Sequence, residues 1–120
     1  MKSKTFPLVG WSLVIIGIIH NAFGFIAGWP VLLDAVSAGL IGAWDRPATG
    51  VLFWFLVTGF ALIALGLLTA QLERSGVVIP WSFITVLGLL ALAGVVLMPA
   101  SGFWLLLFPV AVCLIRRLRR

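Results

Sequence analysis

Charged residues divide this chain into long apolar runs. Residues 5–33, 47–72 and 75–115 contain no Asp, Glu, Lys or Arg. A helix needs about 20 apolar residues to cross a hydrocarbon core about 30 Å thick. The first two runs therefore each accommodate one crossing, and the third accommodates two. The third run is interrupted at Met98-Pro99-Ala100-Ser101-Gly102, where Pro and Gly break the pattern and Ser101 can cap a new helix. The pattern predicts spans at about 7–28, 48–72, 78–98 and 102–116 within a single domain over 1–120.

Between the first and second spans, residues 29–46 are too long for a tight turn. Pro30 suits the first turn of a helix, and Val31, Leu32, Ala35, Val36 and Leu40 recur at helical spacing. Asp34, Ser37 and Ala38 fall towards another face. This predicts a short helix lying on the outer membrane surface, either as a lid over the bundle or as a plain connector. Asp45 is expected to cap the second span, with Pro47 in its first turn. The expected fold class is thus all-α: an integral membrane four-helix bundle with one interfacial helix between its first two spans.

Composition agrees with this solvent assignment. Of the 120 residues, 63% are hydrophobic and 9% charged, against about 25% charged in an ordinary soluble domain. That excludes a water-facing surface, and so much apolar content excludes disorder. The net charge of +5 becomes informative once it is sorted by position. With four spans, Lys2, Lys4, Arg74, Arg116, Arg117, Arg119 and Arg120 share one side, whereas Arg46, Asp34 and Asp45 lie on the other. The positive-inside rule then places both termini in the cytoplasm. Arg-Arg-Leu-Arg-Arg directly follows a span, so it is read as an anchor for anionic headgroups or a dock for a partner protein, with no nucleic acid implied. Residues 1–24 also carry features of a cleaved signal peptide (two lysines, an apolar stretch, Ala22-Phe23-Gly24). We expect the segment to be retained as a helix of the mature protein. Trp11 and Trp81 fall near cytoplasmic ends, and Trp29, Trp44, Trp54 and Trp104 near outer ends, as an aromatic belt requires. The single Cys113 supports only packing or lipidation.

Small residues mark the faces on which membrane helices approach closely. The first span carries Gly10, Gly17 and Gly24 at spacings of seven, extended by Asn21 and Gly28. The second carries Gly59 and Gly66, flanked by Thr58 and Thr69, and the third offers Gly88, Ala91 and either Gly94 or Val95. The fourth has bulky side chains and Pro109, which removes a backbone hydrogen bond and is expected to bend its helix. His20-Asn21 is the strongly polar pair within a span, and Thr58 lies at a similar depth. An ionisable group there needs a partner or a wet cavity. Two readings stand: a pocket where His20, Asn21 and Thr58, with Trp54 as a stacking surface, hold a ligand headgroup; or a neutral histidine bonded within the bundle.

Much chemistry is absent. With no acidic residue inside a span, a proton-coupled exporter lacks its carboxylate, and no Ser–His–acid set or three-ligand metal site assembles. His20 and Met98 make a poor haem pair within one chain. No catalysis, metal or cofactor is expected. Trp11-Ser12-Leu13 before Gly17 and Gly24 echoes Trp81-Ser82-Phe83 before Gly88 and Gly94, a faint parallel repeat of two hairpins.

The segments Gly-Ile-Ile-His-Asn-Ala-Phe-Gly (17–24), Phe-Trp-Phe-Leu-Val-Thr-Gly (53–59) and Leu-Met-Pro-Ala-Ser-Gly-Phe-Trp-Leu (97–105) carry a resemblance. The chain resembles an uncharacterised family of small four-helix bacterial membrane proteins, similar in architecture to the DoxX-like proteins. The resemblance implies a bacterial inner membrane location, and the DoxX analogy an accessory role beside quinone-linked redox enzymes. It carries over no catalytic residue. The expected function is therefore binding of a lipid- or quinone-like molecule within the bundle near His20. The alternatives are an accessory or scaffold subunit packing on a membrane partner or on itself, and a small oligomeric transporter or channel. Membrane lipids, a homo-oligomer or a membrane partner protein are the expected partners.

Overall fold

The computed structural model describes residues 5–120; Lys2 and Lys4, counted above among the basic residues of one side, lie outside them. The described residues form five α-helices and no strand: α1 (Leu8–Ala27), α2 (Trp29–Ser37), α3 (Pro47–Arg74), α4 (Trp81–Leu97) and α5 (Leu107–Leu118). Short 3-10 helices at Ala43–Asp45 and Gly102–Leu106 precede α3 and α5. Helices thus stand where the four spans were predicted. Two of them, α1 and α3, are long and apolar enough to cross a membrane. At 1.5 Å per residue they run for about 30 and about 42 Å, whereas α4 is a shorter apolar helix.

Local chemistry explains the punctuation. Ser101 accepts the N–H of Phe103 at 3.4 Å, as its predicted capping role requires. Asp45 does not cap α3: that helix has no side-chain cap, and instead Thr49 in its first turn donates its hydroxyl to the Ala43 carbonyl at 2.7 Å. Helix α2 stops at Ser37, short of the Leu40 included in its apolar pattern, because Gly39 and Leu40 both take positive φ (93° and 65°) and turn the chain back. Leu40 therefore leaves the apolar stripe on which it was placed. Pro109 does not kink a continuous helix. The chain runs as a 3-10 helix to Leu106 and becomes α-helical at Leu107. Pro109 thus sits in a first α-helical turn, where its missing N–H has no intrahelical partner to lose.

Helix α1 is the centre of the molecule. It packs along α3 on one side and against α5 on another, and α4 packs on α5 and the 3-10 turn before it. The core joins Val9 and Leu13 of α1 to Ile84, Leu87 and Ala91 of α4, with Leu106, Val110 and Cys113 closing it. The outward surface is as apolar as the interior: Ile26, Val51 and Leu97 are 79%, 71% and 78% exposed.

The α1–α3 seam is antiparallel, and its register is simple. Gly10 meets Ala70, Gly17 meets Ile63, Asn21 meets Gly59, Gly24 meets Leu56 and Gly28 meets Leu52, so the numbers sum to 80 in every pair. A Cβ on Gly10 would overlap the Ala70 backbone. A Cβ on Gly17 would stand 2.7 Å from the Gly59 carbonyl oxygen, and one on Gly66 2.7 Å from the backbone of Gly10 and Val14. Backbone cannot yield as a side-chain tip does, so these glycines set the interhelical distance. The α4 contribution differs from expectation. Gly88 has ordinary room, with Val110 at 3.6 Å, whereas Gly94 is the close contact, lying under the Phe103 ring. Accordingly, Gly10→Ala and Gly66→Ala should each lower stability by about 1–3 kcal/mol through overpacking. Gly88→Ala should be neutral or slightly stabilising, since Ala is the better helix former. Thermal unfolding of the purified protein tests the contrast, and equal effects at all three positions would contradict this account of the seam.

Candidate functional site

Two polar sites interrupt the apolar interior, one midway along the α1–α3 seam and one at its Gly10 end. The first was expected. His20 on α1 lies against α3, its ring stacked on Phe55 with centroids 3.8 Å apart and planes 13° from parallel. Its Nε2 is 2.9 Å from the Phe55 carbonyl oxygen. A carbonyl only accepts, so Nε2 carries the proton and donates it. That carbonyl points along the helix towards residue 59, and the glycine there leaves it open. Gly59 serves the neighbouring residue as well: the amide of Asn21 fills the space a side chain at 59 would take. Asn21 is buried, and neither its Oδ1 nor its Nδ2 has a hydrogen-bond partner.

The structure does not bring Thr58 and Trp54 into this group. Thr58 is exposed and donates its hydroxyl to the Trp54 carbonyl of its own helix at 2.8 Å. Trp54 is 67% exposed and meets Phe53 edge-on at 5.5 Å. Both belong to the outer face of α3, away from the seam that holds Asn21.

The second site lies at the Gly10 end of the seam and has no counterpart in the sequence reading. Glu73, in the last turn of α3, is 8% exposed. Its carboxylate accepts the backbone N–H groups of Val9 at 3.2 Å and Gly10 at 2.8 Å, which are two orphan donors in the first turn of α1. Arg116 of α5 donates to the same carboxylate at 2.5 Å and, through its other terminal nitrogen, to the Phe6 carbonyl at 3.0 Å. Pro7 precedes α1 and supplies no side-chain cap, so a residue 63 positions away does that work. A carboxylate is favoured there by both the free N–H groups and the positive end of the helix dipole.

Glu73 was read only as the boundary of a span. The signal that places it inside is its spacing: Gly59, Gly66 and Glu73 are seven apart, so the carboxylate continues the small-residue stripe. Beside it, Arg74 stacks over the Trp11 ring at 5.8 Å, and Arg117 over the Trp81 ring at 5.5 Å. Each tryptophan near the start of α1 and α4 thus sits under an arginine near the end of its hairpin partner. Next to the ion pair opens a cavity of about 60 Å³, lined by Glu73, Cys113, Arg116, Arg117 and Arg120 and by the Gly76–Ile79 connector. Among the described residues no group of three metal-ligating side chains occurs.

Removing one member of the buried pair should be costly. Glu73→Gln and Arg116→Gln are each expected to lower stability by about 2–4 kcal/mol, less than a fully enclosed pair because Arg116 is partly exposed. The charge swap Glu73→Arg with Arg116→Glu should not restore stability, because it sets a cation against the N–H groups of α1. Chemical denaturation of the three variants checks this, and full recovery in the swap would show that the pair acts without the helix terminus. Midway along the seam, His20→Phe keeps the stacked ring and loses one hydrogen bond, for an expected cost of about 1 kcal/mol; a far larger loss in the same measurement would assign His20 a greater role than that bond.

Comparison with known proteins adds one finding. No curated protein and no solved structure matches the chain. Residues 4–120 match a family of unknown function, DUF6463, and with nearly its whole length matched the chain belongs to that family.

Proposed function

We propose that this chain is a non-catalytic integral membrane protein with four crossings and both termini in the cytoplasm, and that it acts by holding membrane lipid. The observation that carries this reading is the distribution of its surface. Large apolar side chains are exposed along every long helix, and the molecule is bounded at one end by arginine–tryptophan pairs. Water offers no reason for such a surface, whereas lipid does. Arginines stacked over tryptophans suit the headgroup level, where an apolar ring and a cation are both satisfied. The two helices long enough to cross, together with α4 and the combined 3-10 and α-helical run over 102–118, fit the four predicted spans.

Within that reading, the structure favours lipid contact at the arginine end over a ligand at His20. The His20 ring is already bonded and stacked within the seam, and Thr58 and Trp54 face outward. A second reading, an accessory or scaffold subunit, draws on α3. Among the described residues, and apart from the Glu73–Arg116 ion pair at its end, that helix packs on α1, α2 and the short 3-10 turn before it, and 22% of its most apolar stretch is buried, against 44% for α1. Most of its circumference is left for lipid, a membrane partner or a second copy.

Topology is the direct test. In a Cys113→Ser background, Ile41→Cys should react with a membrane-impermeant maleimide on intact cells. Arg119→Cys should react only after lysis. Labelling of both positions, or of neither, on intact cells would contradict the four-crossing arrangement. Recovery of the chain in the soluble fraction would overturn the membrane reading itself.

A further inference from the structure

The cavity beside Glu73 carries an inference about which lipid is held, and it rests on the membrane reading above. Glu73 lines this cavity, yet its negative charge is already committed to three donors: the N–H groups of Val9 and Gly10 and the guanidinium of Arg116. The remaining charge at the cavity is positive, from Arg117 and Arg120. Arg116 is held in place by two acceptors, Glu73 and the Phe6 carbonyl. A guanidinium has five N–H donors in a fixed planar fork, so a positioned arginine keeps donors for a further anion. The C-terminal end of α5 presents its carbonyls here, an unfavourable end for an anion. Arg116, Arg117, Arg119 and Arg120 outweigh it. Apart from Thr5 and the Cys113 thiol, the other walls are apolar, from Val9 and the Gly76–Ile79 connector, and about 60 Å³ is room for roughly four waters, the scale of one phosphate group.

We propose that this cavity binds the phosphate of an anionic phospholipid, with Arg116 and Arg117 gripping its oxygens, Arg120 covering them, and the acyl chains lying on the apolar surface below. Arg117 stacked on Trp81 marks the level at which the headgroup meets the apolar helices. A phosphate there would be met by arginine forks from one side and apolar walls from the other, which is the polarity of a lipid rather than of a free ion.

The test uses the full chain reconstituted in vesicles of phosphatidylcholine with phosphatidylglycerol, extracted mildly and examined by native mass spectrometry. One phosphatidylglycerol per chain should be retained in preference to phosphatidylcholine. Arg117→Gln with Arg120→Gln should lower that preference about tenfold or more. Arg117→Lys with Arg120→Lys should keep part of it, and Arg46→Gln, which lies outside the cavity and pairs with Asp34, should leave it intact. Equal retention of the two lipids, or a preference unchanged in the double glutamine variant, would overturn the proposal. So would inorganic phosphate that binds the detergent-extracted chain and displaces the lipid at low millimolar concentration, since that identifies a free anion as the ligand. Failure of the chain to enter vesicles would instead overturn the membrane reading on which this site rests.

Discussion

One carboxylate ties the molecule together. Glu73 closes the N-terminus of α1, ends α3 and holds Arg116 of α5, so three helices meet on a single side chain. It reaches α1 only because the seam is closed one turn earlier, where Gly10 lies on the Ala70 backbone. The same Gly10 then gives its N–H to the carboxylate. Packing and electrostatics are therefore not separable here. A side chain at residue 10 would push the helices apart and draw the donor away from its acceptor.

Around this point the molecule has the form of two related hairpins. In one, α1 carries Trp11 in its first turn and α3 ends with Arg74 above it; in the other, α4 begins with Trp81 and α5 carries Arg117 in its last turn above it. The residues preceding those two arginines are Glu73 and Arg116, and they pair with each other. The weak echo between Trp11-Ser12 and Trp81-Ser82 thus corresponds to a matching geometry at one end. The hairpins differ in how they close. Along α1–α3 the glycines of both helices mesh, whereas the second hairpin approaches through Gly94 under Phe103, across a 3-10 turn that lets Pro109 enter at the start of α5.

Chain order and helix placement were legible because their causes are local. Charges end a span wherever desolvating them is too costly, and Pro, Gly and Ser mark where a helix must stop or restart. The stripes on the first two spans were legible for a similar reason, since a period of seven keeps glycines on one helix face. What escaped was which partner each polar group finds. His20 and Asn21 were evident as polar residues in an apolar run, yet Thr58, at matching depth, turns its hydroxyl back to Trp54. Depth is set by residue count along a helix, but facing is set by rotation, and a rotation is fixed only when a neighbour packs. The role of Glu73 was hidden because a lone acid at the end of an apolar run looks the same whether it faces water or another helix.

By itself, then, the sequence determined the all-α class, the approximate placement of the helices and the faces on which two of them approach. Each of these follows from composition or from spacing along one helix. Tertiary structure alone decided that Glu73 caps a helix 63 residues away, that Arg116 completes it, and that a basic cavity opens beside them. Those outcomes depend on the register between helices, in which Gly10 meets Ala70. Register is set by backbone contact across the seam, a relation between two segments that neither specifies alone.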